Sequence, residues 1–204
     1  MFLINDLTII EECNKENGIL DITPLESDNL EATFYYFRLG KYIYRWDKDK
    51  EKWMPDDLSL PGNELVTIEP NEYVLVQTLE RFRCSKKVFA NFGHTSKLFR
   101  KGLTIRNSPF IDPNFPDENS DGFLEIGLKN ELNQKVKIKY QDIIGKISFF
   151  NVSDTYPISD LKNLKSKEDY KRRKGAGGQI PLYDDDPVPG WKDVEEYGKR
   201  NKRK

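Results

Sequence analysis

Apolar and charged residues alternate strictly through Lys135-Val136-Lys137-Ile138-Lys139-Tyr140. That period of two predicts a β-strand with Val136, Ile138 and Tyr140 on a buried face and the lysines in water. The stretches Phe34 to Phe37, Tyr42 to Trp46, Tyr73 to Leu79 and Phe123 to Leu128 are rich in aromatic and β-branched residues and are bounded by turn residues, so they also predict strands. Helical spacing occurs twice. Leu7, Ile10 and Cys13 follow Asn5 or Asp6, either of which can cap a helix start, so a short helix is expected within 5–16. Thr95 to Lys101, with Leu98 and Phe99 among polar residues and Gly102 as a stop, predicts one short helix inside a β-domain. Beyond Val152 the pattern weakens into a polar run, Lys162 to Lys174, then Gly175-Ala176-Gly177-Gly178 and the breakers Pro187-Val188-Pro189-Gly190. The expected organisation is an all-β domain over 1–152, with its short N-terminal helix, and an arm or lid with a basic tail over 153–204. One short helix, Trp191 to Arg200, is expected in that arm, and no internal repeat is visible.

Composition narrows the function classes. The 204 residues suit one domain able to bury a real core. A mean hydropathy of -0.73 leaves no apolar run of about 18 residues for a membrane span. The N-terminus places Asn5 and Asp6 inside its apolar stretch and lacks a basic start, unlike a signal peptide, so a cytoplasmic protein is expected. Cys13 and Cys84 lie far apart with no C-x-x-C pair, which suggests reduced thiols rather than a disulfide framework or a structural zinc site. A net charge of -1 argues against wholesale attraction to nucleic acid or to a membrane, and neither is an expected partner. Residues 165–204 nevertheless hold 12 of the 33 Lys and Arg, in a tail that reads as solvated.

Six segments carry a further signal. They are Gly18-Ile19-Leu20-Asp21-Ile22 with Phe37-Arg38-Leu39-Gly40, the run Gly93 to Leu103, Ile111-Asp112-Pro113-Asn114-Phe115, Gly122 to Asn130, Gln141 to Phe149, and Glu168-Asp169-Tyr170-Lys171 before the Gly-rich stretch. In this order and near this spacing, over residues 18–180, the chain resembles the dCTP deaminases, which belong with the dUTPases. The resemblance implies a distorted β-barrel or jelly roll of the dUTPase-like type, a homotrimer with nucleotide sites between subunits, and a pyrimidine deoxynucleotide, dCTP or dUTP, as ligand. It implies no cofactor for deamination, with Mg²⁺ only as companion of the triphosphate, and no protein-held metal.

The departures from that family are specific. A glutamate three residues before the strand's Asn activates water in the deaminases, and that position is Gly127 here, which cannot transfer a proton. Glu125 is two residues earlier and on the same strand face, so a register displaced by about 6–7 Å would bring it to the pocket as proton shuttle. Thr95 stands where the phosphate-binding arginine of the G-R-S-S segment is expected, or His94 if the alignment slips by one, and Tyr36 replaces an aspartate before R-L-G. Ser96, Lys97 and Arg100 remain as a phosphate constellation within two helical turns, joined by Lys171 of the lid. The same helix residues also read as an ordinary solvated face, and Lys171 to Gly178 also reads as linker. Asp112 aligns with the carboxylate that orients water in the dUTPases, and equally suits a turn in which Asp caps backbone N–H groups. His94 does not open a zinc-deaminase signature, because no H-x-E glutamate or P-C-x-x-C follows.

Three functions compete. The resemblance favours metal-independent deamination of dCTP. Loss of the expected Glu and Arg favours a catalytically inactive nucleotide-binding or regulatory protein of the same fold. A dUTP pyrophosphatase acting through Asp112 is weaker, because Gln141 to Lys146 departs from the dUTPase G-D-R-I-A-Q strand.

Overall fold

Most of the expected strands form, and several run further than the sequence pattern suggests. The structure is a computed structural model that describes residues 1–116 and 120–152. In chain order the elements are β1 (Phe2–Leu3), α1 (Asp6–Cys13), β2 (Leu20–Thr23), β3 (Leu30–Glu31), β4 (Phe34–Asp47), β5 (Lys52–Asp57), β6 (Leu65–Ile68) and β7 (Tyr73–Cys84). They continue with β8 (Val88–Gly93), α2 (Ser96–Arg100), β9 (Leu103–Ile105), β10 (Phe110–Ile111), β11 (Phe123–Asn130), β12 (Val136–Lys139) and β13 (Ile143–Asn151). The fold is all-β with a few short helices: one curled antiparallel sheet in the order β10-β8-β13-β4-β7-β11-β9, and a separate β12-β6 pair. The described residues include no helix long and apolar enough to cross a membrane. The expected arm, with its helix from Trp191 to Arg200, lies outside the described residues.

Two expected strands, Phe34 to Phe37 and Tyr42 to Trp46, are one continuous β4. Arg38-Leu39-Gly40 carries the chain between them because Gly40 lets β4 approach β7 closely: a Cβ there would lie 2.3 Å from the Thr78 carbonyl oxygen. Tyr35 and Phe37 of β4 are fully buried and meet Phe82 of β7 edge to face, each with ring centroids 6.3 Å apart. Such pairs add about 0.5–1.5 kcal/mol beyond their buried area. Those aromatics are therefore core, as packing rather than base stacking requires. Beside them Glu80 of β7, completely buried, accepts from the Arg38 Nε (2.7 Å), the Arg38 N–H (2.9 Å) and the Tyr35 hydroxyl (3.2 Å). This knot ties β4 to β7 at the R-L-G segment.

In α1 the Asn5 side chain accepts from the Thr8 N–H, as the capping pattern predicts. The buried residue, however, is Ile9, while Leu7 is exposed. The helix docks against β2 through the Ile9 and Cys13 side, which leaves the Leu7 face in water. Both cysteines are free, and burial pushes the Cys13 thiol up to about 11 and the Cys84 thiol up to about 12, so neither is a ready nucleophile.

Candidate functional site

Alternation along β11 sends Leu124, Ile126, Leu128 and Asn130 into the core and turns Glu125, Gly127 and Lys129 to the other face. The buried Asn130 donates through Nδ2 to the carbonyls of Ile68, Glu69 and Gln134 and accepts from the Leu132 N–H, so it locks the strand end to its surroundings. Glu125 stands opposite Gln77 of β7 and borders a cavity of about 650 Å³ together with Asn107, Asp112 and Phe115. Asp112 enters this cavity from the turn after β10 and is exposed. The structure therefore brings together the two carboxylates singled out in the sequence.

Burial pushes the Glu125 carboxyl up to about 7. The Tyr44 phenol is pushed up to about 12, first by burial and then by the charges of Glu125 and Tyr42. A carboxyl that is half ionised near neutrality can take a proton and return it within one reaction. Its backbone is clamped by Asn107, whose Nδ2 donates to the Glu125 carbonyl (3.1 Å) and whose Oδ1 accepts from the Gly127 N–H (3.2 Å).

Gly127 is not an empty place. A Cβ there would lie 2.3 Å from the Tyr73 hydroxyl oxygen and 2.9 Å from its ring. The Tyr73 ring thus covers the position where the family's glutamate is expected. It continues an edge-to-face aromatic row through Trp53 to Trp46, with centroids 6.1 Å and 5.8 Å apart.

The phosphate candidates Ser96, Lys97 and Arg100 share α2, and all three are exposed. Thr95, at the position of the missing arginine, is buried and caps the helix by accepting from the Leu98 N–H at 3.1 Å. His94 stacks on Phe99, with centroids 5.4 Å apart. Lys97 lines a small crevice with Lys101 and Asp142, and none of the α2 candidates borders the Glu125 cavity. Within one chain the structure thus groups the candidates in two separate places. Lys171 lies outside the described residues. Sequence reasoning missed Asn107, Tyr73, Gln77 and Glu80. Only Gln77 and Glu80 left a trace, as polar residues inside or beside an apolar strand pattern. The described residues hold no group of three His, Cys, Asp or Glu side chains placed to bind a metal.

A dCTP deaminase of Thermococcus kodakarensis is 30% identical over 131 residues, which is 64% of this chain and 76% of that protein. A dUMP-forming dCTP deaminase of Corynebacterium diphtheriae is 25% identical over 146 residues, 67% of this chain and 75% of its own. Among solved structures, 2'-deoxycytidine 5'-triphosphate deaminase from Agrobacterium tumefaciens superposes with a TM-score of 0.57 at 15% identity, over 72% of this chain and 47% of that one. The present chain thus spans about half the length of that enzyme, and the likeness there is one of fold. The model of the dCTP deaminase-like family matches residues 4–152, from just after β1 to just after β13. The chain belongs to the dCTP deaminase-like family.

Proposed function

We propose that this protein binds a pyrimidine deoxynucleoside triphosphate in the cytoplasm and hydrolyses dCTP to dUTP and ammonia, with Glu125 as the proton shuttle. The observation that carries this reading is the half-buried Glu125 carboxyl, held near neutrality at the edge of a cavity large enough for a pyrimidine nucleoside. Ionised Glu125 takes a proton from water as its oxygen adds to C4 of cytosine, and N3 receives that proton. A second proton passes from the added hydroxyl through Glu125 to the exocyclic nitrogen as the C4–N4 bond breaks and ammonia leaves. Ser96, Lys97, Arg100 and Lys171 hold the phosphates, with Mg²⁺ only as their companion. Because α2 does not border the Glu125 cavity of its own chain, this reading assigns α2 of one copy to the cavity of the next in a homotrimer.

A second reading, nucleotide binding without turnover, is favoured by the Tyr73 ring over Gly127, which closes the place of the usual glutamate. Incubation with dCTP, followed by chromatography of dCTP, dUTP and dUMP, separates these. Wild type is expected to form dUTP and Glu125→Gln to lose about 10²–10⁴-fold in kcat. Formation of dUMP in place of dUTP would bring Asp112 into the chemistry as water-orienting group. Calorimetric binding without product would establish the second reading, and turnover insensitive to Glu125→Gln would remove Glu125 as shuttle. Ser96→Ala with Arg100→Ala is expected to weaken binding about tenfold or more while leaving the protein folded, because charged hydrogen bonds contribute about 1.5–3 kcal/mol each.

A further inference from the structure

The pairing of β11 with β7 is irregular next to Glu125. Phe123 lies opposite Arg81, and that register would set Glu125 opposite Leu79. Instead Glu125 lies opposite Gln77, so three residues of β7, Thr78 to Glu80, face the single Leu124. The difference is two residues of β7, about 6–7 Å along the strand. The gap in the ladder is filled by one side chain. The buried Thr78 hydroxyl donates to the Glu80 carbonyl at 2.7 Å and accepts from the Leu124 N–H at 2.9 Å. On the other side of the same segment, Leu39 lies opposite Thr78, Gly40 permits the close approach of β4 there, and the Glu80 carboxylate is gripped by Arg38 and Tyr35.

We infer that Thr78 is a positioning residue, whose hydroxyl, braced by the Arg38–Glu80 knot, holds the bulge that sets Glu125 at the cavity. The function of this bulge rests on the reading of Glu125 as proton shuttle, but the placement does not. A regular ladder would satisfy the Leu124 N–H with a main-chain carbonyl. Here a side chain takes over that bond, so removing the hydroxyl leaves a buried donor and a buried acceptor unpaired and drives the segment toward the regular register. The R-L-G segment is thereby accounted for: arginine anchors Glu80, leucine fills the core, and glycine lets the strands meet at Thr78.

The test compares Thr78→Val, which keeps the shape and loses the hydroxyl, with Thr78→Ser, which keeps the hydroxyl. The readout is the titration of the Glu125 side-chain carboxyl by carbon NMR, assigned by its disappearance in Glu125→Gln, on protein shown to be folded by urea denaturation. The ionisable groups on the Glu125 side of the sheet include Tyr44 on β4, coupled to Glu125 through its charge, and Tyr73 on β7, whose ring covers Gly127; Asp112 and Asp121 line the same cavity, and all are retained in both variants. Thr78→Ser is expected to titrate as wild type, and Thr78→Val about one pH unit or more lower, toward the ordinary carboxylate range. In dCTP turnover, Thr78→Val is expected to lose about tenfold or more in kcat with KM within about twofold, and Thr78→Ser to restore kcat. If Thr78→Val does not fold, Thr78→Cys replaces it, because a thiol is a weak donor and acceptor and gives the same shift in smaller measure. A folded Val or Cys variant with the wild-type midpoint overturns the inference. If wild type forms no dUTP, the midpoints still decide the placement. If Glu125→Gln abolishes turnover while Thr78→Val keeps wild-type kcat and midpoint, the proposed function stands and the positioning role falls.

Discussion

Two glutamates on neighbouring strands show how differently this fold treats the same side chain. Glu80 is completely buried and accepts three hydrogen bonds, one from a guanidinium 2.7 Å away. Glu125 is only partly buried, and burial is the cause of its shift, with no described cation offsetting it. Depth therefore does not decide whether a carboxyl is raised here; compensation does. Where the carboxylate is held by three hydrogen bonds and a cation the group holds strands together, and where a desolvated carboxyl faces a cavity it is poised to exchange a proton.

The largest expected effect breaks the first half of that comparison. Glu80→Ala removes the close, fully buried partner of the largely buried Arg38 guanidinium, leaving it only Glu26 at 3.9 Å, and is expected to cost about 3–5 kcal/mol in urea denaturation. A loss under about 1 kcal/mol would mean that the knot is not what joins β4 to β7. Next, Gly127→Ala forces its methyl against Tyr73 and is expected to cost about 1–3 kcal/mol. The same change in a Tyr73→Ala background is expected to be nearly neutral, and equal costs in both backgrounds would exclude the ring as the obstacle. The smallest effect sharpens the second half. Because the Glu125 carboxyl is raised from 4.5 to about 7, its neutral form favours the folded state. That contribution is fully present below 4.5 and is lost as pH rises through about 7, so Tm falls across this window. Partial exposure limits the change to about 2–4 °C. Glu125→Gln is expected to remove this component of the slope, and an unchanged pH profile of Tm would show that Glu125 is not desolvated.

Much of the fold was legible along the chain because strand and helix periods are local. Lys135 to Tyr140 alternates as its strand does, with Val136 and Ile138 buried and the lysines exposed. The Thr95 to Lys101 helix is capped and stopped where its residues indicate. Less legible was the facing of α1, where Ile9 rather than Leu7 is buried, since a short helix with apolar residues on two sides takes its orientation from what it packs against. The joining of two strand segments into β4 likewise depended on the approach of β7 at Gly40.

The site divides the same way. The sequence by itself determined that Glu125 shares a strand face with Gly127, because the side-chain period of a strand is two, and that Ser96, Lys97 and Arg100 share one short helix. Only the tertiary structure decided that Tyr73 covers Gly127, that Asp112 meets Glu125 at one cavity, and that the Thr78 hydroxyl bridges β7 to β11 at the bulge. Those residues are well separated along the chain. The closing of the sheet brings them together, and no local period records it.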